Sequence, residues 1–172
     1  DWQILMEVTG VYHEGLLYHL HSKGFPVCLE LAKRVKKYIQ SIGHKSKNDK
    51  LDGQGISQMA CERKMNRWKP ISSQIHSIRT MLRHRKALIA ARVQFENQLH
   101  ALKHAAAEER VAERSLRRMI KELNTEIDKA QAKATELAKQ NEPFFRKISQ
   151  IAESVKGLGI LTVLIVVSET NG

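Results

Sequence analysis

Residues 3–10 read QILMEVTG, an apolar run rich in β-branched side chains that ends at a glycine. This run predicts a strand over residues 3–9, and the leucine-bearing stretch of residues 11–22 predicts a helix. A second strand is predicted over residues 25–31, and a basic helix follows it over residues 33–42. Strands and helices that alternate in units this short indicate a parallel α/β sheet.

Three carboxylates stand out in this half of the chain. Glu7 interrupts the first strand, and Asp49 and Asp52 lie three residues apart in a predicted helix that runs towards Cys61. A buried carboxylate must be paired, protonated or bound to a cation, and residues at i and i+3 share a helix face. The three acids can therefore converge on one divalent metal ion, Mg²⁺ or Mn²⁺, at the carboxyl edge of the sheet. Two plainer interpretations stay open: Glu7 faces solvent from an edge strand, and the aspartates complement the helix dipole.

The chain is strongly basic, with 29 Lys and Arg against 18 Asp and Glu, a formal charge of +11 and a pI near 9.8. The first 105 residues carry eighteen positive and eight negative charges. Such an excess favours a polyanionic partner, nucleic acid first and an acidic membrane second. The candidate nucleic-acid-binding residues bracket the aspartates: Lys33, Arg34, Lys36, Lys37, Lys45, Lys47 and Lys50. The same run also fits an ordinary solvated face.

From about residue 72 the pattern changes to helix alone. Apolar residues recur in strict 4-3 alternation over three heptads, which is typical of a coiled-coil seam: Leu116, Ile120, Leu123, Ile127, Ala130, Ala134 and Leu137. The same period continues upstream, where Arg85 and Arg92 interrupt it. We expect an antiparallel hairpin of two long helices over residues 71–141, although the alanines at residues 105–107 also fit one continuous helix. Pro143 is expected to end the second arm.

Other functional classes find little support in the sequence. Cys28 and Cys61 have no metal-ligand neighbour at close spacing, so both are expected to be reduced thiols of a cytoplasmic protein. The longest apolar stretch, residues 158–167, is about half of a membrane span. No Ser-His-Asp or Cys-His arrangement for nucleophilic catalysis can be identified. The chain starts without methionine and stops just after an apolar run, so we expect a fragment.

Five stretches of the chain together resemble the insertion-sequence transposases of family one-hundred-and-ten. They are MEVTGVYH at residues 6–13, RVKKY at 34–38, KSKNDKLDG at 45–53, NQLHAL at 97–102 and VKGLG at 155–159. The most specific of them is KSKNDKLDG, which follows the Glu7 strand by about forty residues. The resemblance covers essentially the whole chain in the order of the family.

The resemblance implies an α/β part followed by an all-α part. Residues 1–70 would form a partial RuvC-like, RNase H-type catalytic domain, and residues 71–141 a coiled-coil hairpin. Residues 142–172 would form a connecting helix and the start of a C-terminal transposase domain, which supplies a serine nucleophile in the family. Members of the family move DNA by site-specific recombination directed by a bridge RNA. The expected partners are therefore DNA, a guide RNA and a second copy of the chain, bound through the coiled coil.

Carried over to this chain, the catalytic and metal-binding acids are Glu7, Asp49 and Asp52, the second to fourth of an Asp-Glu-Asp-Asp set. The first acid is expected upstream, so the fragment by itself is expected to be inactive while the full-length protein cleaves and rejoins DNA. Two alternatives remain: a RuvC-type structure-specific endonuclease that uses water as nucleophile, and a non-enzymatic coiled-coil module that binds nucleic acid. Gly53 stands where relatives usually have alanine, which would loosen the metal-bearing helix.

Overall fold

The computed structural model of the chain describes four stretches: residues 2–8, 10–43, 48–105 and 109–170. The chain divides into two compact units, Asp1–Pro70 and Ile71–Gly172. Within the described stretches, the first unit holds a two-stranded parallel sheet with three helices, and the second unit is helical. The predicted order, an α/β part followed by an all-α part, is confirmed at this level.

The first unit begins with a strand, a helix and a second strand. Its elements in chain order are β1 (Ile4–Val8), α1 (Glu14–Ser22), β2 (Val27–Leu31), α2 (Ala32–Ser41) and α3 (Asp49–Glu62). The two strands pair in parallel, with Ile4 opposite Val27. Helix α1 begins at Glu14, later than predicted, because the preceding residues form a turn in which the Glu14 N–H donates to the Val11 carbonyl at 3.1 Å.

The core of the first unit lies where α2 and α3 pack on the sheet. Its buried side chains are Val35, Tyr38, Ile39 and Met59, and Leu5, Ile42, Ile56 and Met65 pack against them. Because three of these residues recur at i, i+3 and i+4 in α2, that helix turns one apolar stripe inward and its lysines outward. Helix α3 approaches α2 closely at Gly55, where an added Cβ would lie 2.6 Å from Ile39 Cγ1.

The segment after α3 returns to the sheet along the edge of β2 that is remote from β1. The Trp68 N–H donates to the Val27 carbonyl at 2.8 Å, and Arg67 forms an isolated antiparallel bridge with Cys28. These contacts fix an extended segment, residues 65–68, beside the second strand. Cys28 is fully buried beneath it.

The second unit consists of α4 (Ser73–Lys103), α5 (Arg110–Lys139), α6 (Glu142–Ser154) and α7 (Ile160–Thr170). Two cross-helix hydrogen bonds show that α4 and α5 run antiparallel. Gln74 Nε2 donates to the Leu137 carbonyl at 2.7 Å, and Arg92 Nη1 donates to Asn124 Oδ1 at 3.0 Å. The later residue of α4 is thus bonded to the earlier residue of α5, so the two helices form an antiparallel hairpin within one chain.

The predicted seam of α5 is turned towards α4. Ile127, Ala130 and Ala134 are buried, and Ala134 packs in one cluster with Ile78 and Leu82 of α4. Alanine at these positions lets the two backbones approach closely. Arg85, which interrupts the seam of α4, donates from Nε to Gln131 Oε1 of α5 at 3.1 Å. A polar pair thus bridges the helices at the interruption, and the coiled-coil character of the packing stays a prediction.

Pro143 marks the break between the long hairpin and the shorter helices, as expected. Helix α5 ends at Lys139, and Pro143 lies in the first turn of α6, where its missing N–H costs nothing. Asn141 caps this turn by accepting the Phe144 N–H at 3.1 Å. In the parts of the chain described above, no helix is both long and apolar enough to cross a membrane.

Candidate functional site

Glu7 lies in β1, one residue before the end of the strand, and is paired in register with Glu30 of β2. Paired residues of neighbouring strands project to the same face of a sheet, so the two carboxylates share a face. Leu5 lies on this face too, because it is two residues before Glu7, and it packs in the core formed by α2 and α3. Glu7 therefore projects from the side of the sheet that α2 and α3 cover.

Glu30 is a further residue of the candidate site, and the sequence analysis missed it. Its side chain is only 13% exposed, and its Oε1 lies 3.5 Å from Arg34 Nη1 and accepts the Leu31 N–H at 2.9 Å. A carboxylate between two leucines in an apolar strand was the signal that could have found it. Its place opposite Glu7 depends on the register of two strands far apart in sequence, which no local pattern gives.

Asn48 fixes the start of α3, the helix that carries the two aspartates. Asn48 Oδ1 accepts the Lys50 N–H at 2.9 Å, and the Asn48 carbonyl accepts the Asp52 N–H at 2.8 Å. The aspartates thus belong to the first turn, where the helix dipole favours negative charge. The side chain of Asp49 lies outside the described residues. This position agrees equally with both interpretations: the aspartates complement the helix dipole, or they hold a metal ion.

The packing of α3 on β1 brings Asp52 to the level of Glu7. Gln3 Nε2 donates to the Ala60 carbonyl at 2.7 Å, and Leu5 packs against the same core as Ile56, so α3 runs antiparallel to β1. The four residues from Gln3 to Glu7 advance along the strand by about 13 Å. The eight residues from Ala60 back to Asp52 advance along the helix by about 12 Å. With ideal rises along both elements, Glu7 and Asp52 would therefore lie at about the same height, on facing elements.

The donor chemistry at this level suits a hard divalent cation. Carboxylate oxygens are the ligands that Mg²⁺ and Mn²⁺ prefer, and Glu7 and Asp52 supply them from two elements. Among the described residues, no group of three or more acids, histidines or cysteines is placed to hold a metal ion. The full set of three acids includes the side chain of Asp49, so the three-acid site stays a prediction.

The basic residues predicted to hold nucleic acid are exposed where the structure describes them. Lys33, Arg34, Lys36 and Lys37 lie on the outer face of α2, and Lys50 is exposed in the first turn of α3. Lys45 and Lys47 lie outside the described residues. The outer face of α2 is thus free to meet a phosphate backbone, and it agrees equally with an ordinary solvated face.

A short hydrogen bond ties the far end of α3 to α2. Tyr38 Oη donates to Glu62 Oε2 at 2.6 Å, and the Arg63 guanidinium lies 5.0 Å from the Tyr38 ring centre. Burial raises the pKa of Tyr38, and the bond to the Glu62 carboxylate raises it further. The same bond is the main reason that the pKa of Glu62 is lowered. This contact helps to fix the helix whose opposite end carries Asp52.

Comparison with known families identifies the relatives of this chain. The model of a family described as Transposase, the DEDD transposases of the IS110 type, matches residues 1–104, more than half of the 172 residues. The chain belongs to this family. The matched part of this transposase spans all the elements of the first unit together with α4. Transposases move DNA, so DNA is its partner at the family level. No curated protein matches the chain.

Proposed function

We propose that this transposase cleaves and rejoins DNA strands with a divalent ion, Mg²⁺ or Mn²⁺, held by Glu7, Asp49 and Asp52. The observation that carries the proposal is the hydrogen bond from Gln3 to the Ala60 carbonyl. It ties α3 to β1 so that ideal rises along both elements would bring Glu7 and Asp52 to about the same height. Family membership supports it, since DEDD transposases generally use a divalent metal. Glu30 adds a further carboxylate on the same face of the sheet.

The residues of the chain would bind and orient the DNA rather than attack it. When bound, the metal supplies Lewis-acid polarisation of the scissile phosphate. Glu7 and Asp52 would hold it through carboxylate oxygens, and Lys50 would hold a phosphate of the strand beside it. The attacking group would be the serine that the resemblance places in a downstream domain.

We assign the first unit to the RuvC-like, RNase H-type class of catalytic domains. The parallel pair β1 and β2 with α1 as its crossover, and an acid near the carboxyl end of β1, support this assignment. The hairpin of α4 and α5 would be a coiled-coil insertion, supported by the burial of the alternating seam of α5.

We place the protein in the cytoplasm, where DNA is available to it.

A guide RNA is the second nucleic acid that we propose for this transposase. Its support is the resemblance to bridge-RNA-directed relatives and the exposed lysines of α2, Lys33, Lys36 and Lys37. These side chains would contact phosphates and would therefore contribute affinity without base readout. Binding of RNA to the chain should weaken steeply with salt, because each phosphate contact releases counterions.

We propose that two copies associate through the hairpin, by a surface other than the seam. The seam is already covered within one chain, where Ala134 packs with Ile78 and Leu82. Val93, Val111 and Met119 are exposed on the hairpin and offer apolar area for a second copy. Light scattering should give a dimer mass for the chain and a lower mass for Val111→Ser. A monomer at every concentration would contradict this proposal.

Strand cleavage tests the roles of the acids. In a transposase that contains this chain, Glu7→Gln and Asp52→Asn should each lower cleavage of target DNA at least about 100-fold, because each removes a ligand of the ion that polarises the phosphate. Glu14→Gln, a carboxylate of the first turn of α1, is the matched control and should leave cleavage unchanged. Cleavage that survives either substitution would remove that residue from the mechanism. A covalent protein–DNA adduct would exclude the endonuclease alternative.

A further inference from the structure

An aromatic cluster lies at the amino ends of the two strands, away from the acids. The Trp2 and Phe25 rings meet edge to face with centroids 5.6 Å apart. The Trp68 ring meets Tyr18 at 5.0 Å and His21 at 5.3 Å. Trp2, Phe25, His21 and Trp68 line a cavity of about 550 Å³, a volume in the range of small-ligand sites. Trp2 is 64% exposed.

A basic segment borders this cluster. Residues 63–69 read RKMNRWK, with four cations and no acid. Arg67 lines the aromatic cavity, and together with Trp2 it also lines the adjoining groove of about 890 Å³, which Arg63 and Lys64 border as well. The two cavities share Trp2 and Arg67 in their lining, and we call them together the aromatic groove. Glu62 also lines it, but its carboxylate accepts hydrogen bonds from Tyr38 and Gln58 at 2.6 Å each.

Trp2 is exposed and Trp68 is half-buried in contact with Tyr18 and His21. Aromatic rings beside cations match one kind of partner. Unpaired bases stack on aromatic side chains, and their phosphates bind Arg and Lys, whereas a duplex keeps its base faces covered. DNA is the partner that family membership supplies. We propose that the aromatic groove binds single-stranded DNA, with bases stacked on Trp2 and Trp68 and a phosphate held by Arg67.

The rings of this groove lie apart from the acids of the proposed function, and the binding of single strands goes beyond that function. The second cavity extends along α3 as far as Gly53, next to Asp52. Trp2 precedes β1 and lies five positions before Glu7, about 16 Å along an extended chain. Strand ends opened during transposition would be held here while the phosphate to be cut lies at the opposite edge of the sheet.

The two tryptophans of the chain both belong to the groove, so intrinsic fluorescence reports on it directly. Titration of the 172-residue chain with a 12-nucleotide oligothymidine should quench this fluorescence saturably. Trp2→Ala should weaken binding roughly 5- to 150-fold, the range expected from loss of one stacked base, with Trp68 still reporting. Tyr12→Ala, an aromatic residue that is 89% exposed outside the groove, is the matched control and should bind normally.

Three further titrations decide the identity of the ligand. Arg67→Gln should make the dependence of log affinity on log salt shallower by about 0.7, the share of one single-strand phosphate contact. Equal quenching by a duplex of the same length, or by an abasic strand, would overturn base stacking. Tighter binding of oligouridine than of oligothymidine would overturn the assignment to DNA, and the absence of saturable quenching would overturn the site.

Discussion

Two glycines of α3 allow a sharp test of how this helix is seated against α2. At Gly55 an added Cβ would lie 2.6 Å from Ile39 Cγ1 and 3.2 Å from its Cδ1, whereas at Gly53 nothing lies within 4 Å. Alanine is favoured over glycine in a helix by about 1 kcal/mol, and this gain applies to both positions. Overpacking costs about 1–3 kcal/mol and applies to Gly55 alone. Gly53→Ala should therefore be more stabilising than Gly55→Ala by about 1–3 kcal/mol, the overpacking cost.

Urea unfolding followed by tryptophan fluorescence measures this difference in the right place, because Trp2 and Trp68 both lie in the first unit. Gly53→Ala should raise the free energy of unfolding by about 1 kcal/mol. In an Ile39→Ala background the clash is gone, so Gly55→Ala should change sign and become stabilising. Equal effects of the two glycine substitutions in the unchanged chain, or no response to the Ile39→Ala background, would refute the close approach of α2 and α3.

Two other predictions follow from buried groups of the first unit. Cys61 is exposed and should react quickly with a thiol reagent. Cys28 is fully buried, and burial raises its pKa, so it should react only as the unit unfolds. Equal reaction rates for the two thiols would be inconsistent with this packing. Tyr38→Phe should lower the urea midpoint near neutral pH by removing the bond to Glu62. Because the folded state lowers the pKa of Glu62 and raises that of Tyr38, the stability from this pair is lost as the pH falls through the lowered value and as it rises through the raised one. In Tyr38→Phe the urea midpoint should fall less at both low and high pH than it does in the unchanged chain. An unchanged pH dependence would show that this pair does not stabilise the unit.

The elements of the fold were largely predictable because each depends on a local pattern. The apolar runs next to a glycine predicted both strands, and the i, i+3, i+4 spacing of Val35, Tyr38 and Ile39 predicted a helix with one buried face. The heptad pattern over residues 116–137 predicted most of the length of α5. The choice between a hairpin and one long helix was not local, since alanine is a strong helix former and the run at residues 105–107 fits a continuous helix. The bond from Gln74 to the Leu137 carbonyl, 63 residues apart, decides it.

The candidate site was predictable in its residues and not in its geometry. The carboxylates could be found because Glu7 interrupts an apolar run and the aspartates share a turn. Their common height depends on the contact of Gln3 with Ala60, 57 residues away, which no spacing reveals. The aromatic groove was missed for the same reason, since Trp2 and Trp68 lie at opposite ends of the first unit's sequence.

Binding of Mn²⁺ to the chain, measured by calorimetry, tests most directly the claim that Glu7 and Asp52 share a cation. The unchanged chain should bind one ion, and Glu7→Gln and Asp52→Asn should each weaken binding at least about tenfold, since even outer-shell partners of a metal are worth that much. Glu14→Gln should bind like the unchanged chain. Equal affinity in all four proteins, or no binding by the unchanged chain, would contradict the account.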